Sequence, residues 1–454
     1  MNRHQAQPPS KTRKVSLVLI PALFALVPLI YDSDLHRFSL LPKLALVQGI
    51  TLFLSFLWAR DRTISWSAPA TFLPATLFIL WSAISTLAAE LNVFAATRFL
   101  AQLVTFYILY VAISQMATYE TIEQSLKWAC GSGLVFALIG VAEFWGVNVD
   151  FIPSNGRPSS TFAYRNFAAS YTVATLPLTV VFALRARKKS DMILGSIAAL
   201  MMGLFLVYTR SRGAWLGGLI GLIIVIGLFI IYRFQALDQN SVVRSSMGKC
   251  IVAGVVFLFL GLAPWSPNIK ANHSRGIDEG KTELLDALGS LSASGAGRGR
   301  LDLWSSTARM VSDHPLLGVG LDNWRIAYPP YDKGEMIKVG SAPARPHNDF
   351  LWIASETGII GLGFFCWFTL QALYGGLIHI SRRDKHAILV AGLLCGLCAL
   401  LVHSIFSFPR ERIETSFFMW TAIAFLHVLS NDTRRKDQCL FAPLGIPLVA
   451  ACCL

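Results

Sequence analysis

One long polar stretch of the chain, residues 266–348, carries ten lysine and arginine residues. Arg298 and Arg300 follow a glycine-rich run in this stretch, and a helical pattern begins directly after them at Leu301. Guanidinium groups behind flexible glycines at the start of a helix can bind phosphate oxygens in pairs, helped by free backbone N–H groups. A solvated basic linker is the alternative, because short glycine and arginine matches are nonspecific. The ten basic residues of the stretch are Lys270, Arg275, Lys281, Arg298, Arg300, Arg309, Arg325, Lys333, Lys338 and Arg345.

A single imidazole, that of His347, stands at the end of this stretch and directly before an apolar segment. A histidine in such a position can be neutral near pH 7 and accept a proton, although a lone surface histidine can also be incidental. Asn348 follows it. Asp349 and Glu356 are seven residues apart, so a helix would place both on one face, where they could orient His347 or accept from a substrate. For Asp349 the alternative is compensation of helix N-terminal charge.

Two further arginines, Arg210 and Arg212, lie between two apolar runs. Arginines at the outer end of a helix pair commonly extend to lipid headgroups. On the same side as Arg300 and His347, they could instead help to form a cationic pocket for a lipid-linked phosphate. The segment 314–320 (HPLLGVG) predicts a turn that redirects the chain, with glycines that permit positive φ. We interpret His314 in it as the end of a helix rather than a catalyst.

The elements that position these residues follow from composition. Of the 454 residues, 54% are hydrophobic and 14% are charged, whereas soluble domains carry about 25% charged residues. Apolar runs near the roughly 20 residues that a membrane span needs recur along the chain. They predict an all-α polytopic membrane helix bundle with about twelve spans. The runs are 15–31, 40–58, 68–89, 96–115, 126–146, 163–184, 192–209, 213–232, 250–265, 349–377, 387–404 and 416–430.

The distribution of basic residues predicts the orientation of these spans. With a cytoplasmic N-terminus, every strongly basic short connection falls on the cytoplasmic side. Residues 1–265 then hold nine spans, residues 266–348 form one large periplasmic loop, and residues 349–454 hold three spans and a cytoplasmic tail. Arg210, Arg212 and the large loop share the periplasmic face. The formal net charge is +13, but the basic residues lie between the apolar runs and do not form a stripe on one polar domain. Nucleic acid is therefore not an expected partner.

Several segments together resemble the O-antigen ligase and O-antigen polymerase superfamily of bacterial inner-membrane proteins. Their order and spacing around one large loop, over about residues 155–365, make the resemblance more specific than any single segment. The matching segments are 160–168 (STFAYRNFA), 211–217 (SRGAWLG), Arg300 with Trp304, 314–320 (HPLLGVG), 347–351 (HNDFL) and 356–361 (ETGIIG).

The resemblance implies an all-helical glycosyltransferase of the inner membrane that moves a glycan from undecaprenyl diphosphate to an acceptor hydroxyl, without metal or other cofactor. It implies that His347 activates the acceptor and that Arg212 and Arg300 bind the diphosphate, although Arg210 and Arg298 are close enough in sequence to replace them. Fixed guanidinium groups would stabilise the charge that develops on the leaving group. A base on the other side of the anomeric carbon would give inversion.

Alternatives remain at the level of the acceptor and of the protein class. A ligase that acts on lipid A core comes first, and a polymerase that extends the glycan or a protein O-oligosaccharyltransferase are the alternatives; the turn 407–410 (SFPR) resembles the last of these. From another class, a solute transporter of the bicarbonate type would place its ionisable groups near the bilayer midplane. The candidate residues here gather at the outer surface instead, which favours chemistry on a lipid headgroup.

Overall fold

The computed structural model describes residues 11–232 and 298–434, apart from short gaps at 36, 65, 90, 148–151, 153–157, 335 and 383–385. Three of the predicted features lie outside the described residues. These are the ninth span at 250–265, the first part of the large loop at 266–297, and the cytoplasmic tail from residue 435 onward.

Within the described residues the chain is helical, with no strand and a single isolated β-bridge between Lys338 and Ser341. Short 3-10 turns lie at Ser160–Phe162, Pro329–Tyr331 and Pro409–Glu411. The all-α prediction is therefore confirmed. The α-helices are α1 (Lys11–Leu26), α2 (Leu41–Arg60), α3 (Phe72–Leu87), α4 (Val93–Met116), α5 (Tyr119–Phe144), α6 (Arg165–Arg185), α7 (Lys189–Tyr208), α8 (Arg212–Tyr232), α9 (Arg298–Asp313), α10 (Trp324–Ala327), α11 (Asp349–Ser381), α12 (Ala387–Ser404) and α13 (Ile413–Arg434).

Eight of these helices, α2, α4 to α7 and α11 to α13, are long and apolar enough to cross a membrane. Two more, α3 and the first part of α8 (Arg212–Ile224), are apolar but shorter. Every predicted run in the described part of the chain coincides with a helix, so the prediction of a polytopic helical membrane protein is confirmed. The predicted number of about twelve spans is not, because only eight of the described helices meet the criteria of length and composition.

Small residues let neighbouring helices approach closely. Helix α12 packs against α6 and α8, and glycines lie at both contacts. A methyl group on Gly217 of α8 would lie 2.5 Å from the carbonyl oxygen of Ala399, and one on Gly396 of α12 would lie 2.2 Å from that of Ala174. Close backbone contact through small residues is typical of helices that associate in lipid, where apolar burial offers little driving force.

The two ends of the bundle carry different polar groups. At the end that the sequence assigns to the cytoplasm, three side-chain contacts join the ends of different helices. The starts of α8 and α11 and the turn Pro409–Glu411 lie at the opposite end, because successive helices run in opposite directions. The three contacts are Arg185 with Glu123 at 2.7 Å, Lys127 with Asp191 at 2.9 Å, and His386 with Asp432 at 2.8 Å.

Helix α11 is broken at Gly358, whose φ of 70° and ψ of 177° are not helical. Backbone groups released by a break inside a membrane helix need other partners. The turn at 314–320 supplies them, and its predicted positive φ values are confirmed at Gly318 (67°) and Gly320 (90°). The replacement hydrogen bonds run from Val319 N–H to Ser355 O at 2.9 Å, from Gly320 N–H to Glu356 O at 3.0 Å, and from Ile359 N–H to Pro315 O at 2.8 Å.

We predict that Gly358→Ala destabilises the protein. The backbone conformation is nearly restricted to glycine and costs another residue about 1–3 kcal/mol. An alanine Cβ would also lie 1.8 Å from the carbonyl oxygen of Leu316, which adds to that loss. The measurement is the midpoint of thermal unfolding of the purified protein in detergent. Gly363→Ala is the matched control, because open space surrounds Gly363 in the same helix. Equal midpoints for the two variants would contradict the prediction.

Candidate active site

Arg300 is brought to His347 by the helix α9. The indole N–H of Trp304 donates a hydrogen bond of 3.0 Å to the carbonyl oxygen of Pro346. Arg300 lies four residues before Trp304, hence on the same face of α9. Burial lowers the pKa of His347, and together with the positive charges of Arg300 and Arg345 it brings that pKa to about 4. His347 is therefore an uncharged imidazole at neutral pH, beside two cations.

Arg212 is the second cation of this site. It is the first residue of α8, which begins at the same end of the bundle as α9. Burial lowers the pKa of Arg300, and the charge of the neighbouring Arg212 lowers it further. Tyr164, at the start of α6, is the other neighbour that acts on Arg300. The structure thus places Arg212, Arg300 and His347 in one cluster, although they come from three separate parts of the sequence.

Arg210 and Arg298, the alternative phosphate ligands, lie close by in sequence. Arg210 occupies the tight turn before α8 with a left-handed φ of 50°, and its N–H donates to the carbonyl oxygen of Val207 at 3.1 Å. Arg298 is the first residue of α9, and its side chain lies outside the described residues. For Arg212 and Arg300, the repulsion between their charges shows that the two guanidinium groups lie near each other.

The backbone at His347 is held in an unusual conformation. Its φ is 54°, a left-handed value that is uncommon for residues other than glycine and often marks functional sites. Asn348 follows as the cap of α11, since its side-chain oxygen accepts hydrogen bonds from the N–H groups of Phe350 and Leu351 at 3.0 and 3.1 Å. The His347 ring packs edge-on against Phe408, with ring centroids 5.1 Å apart. These contacts fix where the imidazole can point.

Asp349 and Glu356 share a helical face, and both bind Arg410. Asp349 accepts from the Arg410 backbone N–H at 2.9 Å, and Glu356 accepts from its guanidinium at 3.3 Å. Glu356 also accepts from the indole N–H of Trp352 at 2.5 Å. In the described part of the chain, neither carboxylate has His347 as a hydrogen-bond partner. Their effect on His347 is indirect, because they hold the turn that carries Phe408.

Arg410 and His403 are residues of this region that were not among the predicted site residues. The Arg410 guanidinium is buried and lies over the rings of Phe99 and Trp352, 5.0 and 4.8 Å from their centroids. His403 is buried in the last turn of α12, and a methyl group on Gly213 would lie 3.0 Å from its Nδ1 atom. The sequence did contain a signal for both residues. Each lies near the end of an apolar run, on the side predicted to be periplasmic.

The described residues contain no cluster of potential metal ligands. No group of three or more histidine, cysteine, aspartate or glutamate side chains lies close enough there to hold a metal ion. The polar groups around His347 are instead cations, with Arg300 and Arg345 as the neighbours that act on it. Such a site is suited to an anionic ligand.

Comparisons with known proteins agree with this description. A family model described as O-antigen ligase matches residues 197–366, a range that includes Arg212, Arg300 and His347. An O-antigen ligase of Pseudomonas aeruginosa is 32% identical over 150 residues, which are 32% of this chain and 34% of the relative. An O-antigen polymerase of Salmonella muenchen is 28% identical over 174 residues, which are 36% of this chain and 40% of the relative.

The similarity spans about a third of the ligase and two fifths of the polymerase. The family model covers the part of the chain in which α8, α9 and the start of α11 bring Arg212, Arg300 and His347 together. The helical membrane fold, the motif order and the family match agree. Over residues 197–366 this chain is similar to the O-antigen ligase family, and its two relatives are an O-antigen ligase and an O-antigen polymerase.

Proposed function

We propose that this chain is a glycosyltransferase that moves a glycan from undecaprenyl diphosphate to an acceptor hydroxyl at the periplasmic face of the bacterial inner membrane, without metal or other cofactor. The observation that carries the proposal is the cluster of an uncharged imidazole, His347, with the guanidinium of Arg300, which has Arg212 beside it. A base and paired cations are the groups that transfer from a lipid diphosphate requires.

The proposed reaction is a single displacement at the anomeric carbon. His347 takes the proton of the acceptor hydroxyl, and the acceptor oxygen forms the new glycosidic bond as the bond to the diphosphate breaks. The electron pair of the broken bond stays on the diphosphate oxygen, where Arg212 and Arg300 neutralise the developing charge. Attack from the face opposite the leaving group inverts the configuration. The proton then passes from His347 to water.

Binding of the donor would also change the pKa of His347, the proposed base. In the free protein the pKa of His347 is lowered by burial, and further by the charges of Arg300 and Arg345. A diphosphate on Arg300 would offset part of that charge, because an anion near an imidazole favours its protonated form. Donor binding would therefore raise the pKa of His347 toward its ordinary value and make it a stronger base when the reaction needs one.

The proposed glycosyltransferase could take one of three forms, which differ in the acceptor that they extend. We place a ligase that acts on lipid A core first, and the similarity to an O-antigen polymerase supports a polymerase as the second form. A protein O-oligosaccharyltransferase is a third. The deciding experiment supplies the purified protein with lipid-linked glycan and, in separate reactions, lipid A core, the glycan itself or a pilin. The acceptor that is extended identifies the form, and no extension of any acceptor counts against the proposal.

We predict that His347→Ala and Arg300→Ala each reduce transfer by about a hundredfold or more, because loss of a general base or of a charge-stabilising donor has effects of that order. The measurement is glycan transfer by purified protein. His314→Ala and Arg325→Ala are matched controls, since both residues are exposed. If either site variant were as active as its control, the role assigned to that residue would be wrong.

We predict that Glu356→Gln acts mainly on stability. It removes the carboxylate charge that contacts the buried guanidinium of Arg410 directly, and such a loss costs about 3 kcal/mol. Thermal unfolding of the purified protein is the measurement, with Glu120→Gln at an exposed helix start as the control. A Glu356→Gln protein that unfolded like the wild type but had lost transfer would instead show that Glu356 takes part in catalysis.

We predict two acid limbs in the pH dependence of transfer. The neutral form of His347 is the active one, so the rate falls as the pH drops through its pKa. Because that pKa is about 4 in the free protein, kcat/KM holds down to about pH 5 and falls below it. The limb of kcat lies at higher pH, because bound donor raises the pKa. Coincident limbs near pH 6.5 would contradict the assigned environment of His347.

A further inference from the structure

A second group of arginines lies at the same end of the bundle as His347. It consists of Arg37, Arg98 and Arg345, and is called here the second arginine group. Arg98 of α4 contacts the Asp322 carboxylate at 3.1 Å. Arg345 binds both carboxylate oxygens of Glu411, with its Nε atom 2.6 Å from one of them. The mechanism proposed above does not use these groups to bind the donor.

Contacts between neighbouring residues show that the group forms one surface. Gln102 lies one turn after Arg98 on α4, and its side chain donates to the carbonyl oxygen of Glu411 at 3.0 Å. Arg412 donates to the hydroxyl of Ser39 at 3.0 Å, which places the segment containing Arg37 beside the same turn. Three distant parts of the sequence, the α1–α2 connection, α4 and the segment before α11, therefore meet at Glu411.

Positive charge exceeds negative charge on this surface. The group has three guanidiniums, whereas Asp322 and Glu411 are the two carboxylates paired with it. Arg345 and Glu411 neutralise each other's charge in an ion pair. Arg98 reaches Asp322 through one nitrogen and remains 45% exposed. In the described part of the chain Arg37 has no ion pair.

The electrostatics of Arg37 agree with this count. Burial lowers the pKa of Arg37, and the charges of Arg98 and Arg345 lower it further, against the opposing effects of Glu411 and Asp322. Cations that repel one another in a partly buried place are stabilised by an anion that bridges them. Arg37 and Arg98 are the members of the group with donors left for such an anion.

The second arginine group adjoins the candidate active site. Arg345 lies two residues before His347, and its charge acts on the imidazole together with that of Arg300. His347 is therefore the point at which the two sets of cations meet. If Arg300 and Arg212 hold the donor, the acceptor must still present its hydroxyl to His347, and Arg345 joins that imidazole to the second arginine group.

We propose that Arg37 and Arg98 bind a phosphate or carboxylate carried by the glycan acceptor, and so hold the acceptor beside His347. This inference rests on the function proposed above. Asp322 competes with the ligand for Arg98, so the site would favour an anion able to contact both guanidiniums over one that contacts Arg98 alone. An acceptor without an acidic group would reach His347 but would lack this anchor.

The test measures binding of two soluble probes, a short oligosaccharide with one phosphate monoester and the same oligosaccharide without it. The full chain is purified in nanodiscs of phosphatidylcholine, and binding is followed by isothermal titration. We expect the phosphorylated probe to bind about tenfold more tightly, as charge-assisted hydrogen bonds imply. Arg37→Gln with Arg98→Gln should remove that preference. Arg60→Gln with Arg62→Gln, which removes two exposed arginines at the opposite end of the bundle, should keep it.

A second variant is expected to bind the phosphorylated probe more tightly. It excludes loss of folding as the reason for weaker binding by the Arg37 and Arg98 variant. Asp322→Asn removes the carboxylate that competes for Arg98, so the phosphorylated probe should bind more tightly to it than to the wild type. Equal binding of the two probes to the wild type, or an unchanged preference in the Arg37 and Arg98 variant, would overturn the inference. Abolition of the preference by phosphatidylglycerol in the nanodiscs would also overturn it, by assigning the site to a lipid headgroup.

Transfer assays separate this inference from the proposed function. The Arg37 and Arg98 variant should transfer glycan to an unphosphorylated acceptor at the wild-type rate, and should show a raised KM for a phosphorylated acceptor. Full activity of His347→Ala would remove the proposed function while leaving the binding result intact. Loss of transfer to both acceptors in the Arg37 and Arg98 variant would count against an anchoring role.

Discussion

The buried guanidinium of Arg410 is the interaction on which the rest of the site depends. Two carboxylates seven residues apart on α11 bind its backbone and its side chain. The aromatic rings of Phe99 and Trp352 lie against its faces. Taking a charge of this kind out of water is expensive unless it is paired and hydrogen-bonded. Once it is paired, α4, α11 and the turn before α13 are fixed relative to one another, and Phe408 is fixed against His347.

Most of the helices could be predicted because a membrane span has a simple requirement of length and apolarity. The break in α11 could not be predicted in this way. Gly358 lies inside an apolar run, and its conformation depends on hydrogen bonds to residues about forty positions earlier in the chain. The number of spans could not be predicted from the apolar runs either, because α3 is apolar but is shorter than a full span.

For the candidate site, the sequence supplied the residue types but not all of their partners. The basic connections indicated that Arg212, Arg300 and His347 belong to one side, and the structure gathers them into one cluster. Helical spacing put Asp349 and Glu356 on one face, but their shared partner, Arg410, lies more than fifty residues later. The second arginine group combines three segments that no local pattern connects.

The start of α8 beside the start of α9 gives the site an electric field that no side chain supplies. Each helix leaves its first amide groups without partners in its own spiral, and the summed peptide dipoles put a partial positive charge there. This field does not titrate and cannot be removed by substitution of a residue. A variant without both Arg212 and Arg300 would still attract anions weakly to this position. The backbone therefore supplies a minimum of anion binding to which the arginines add.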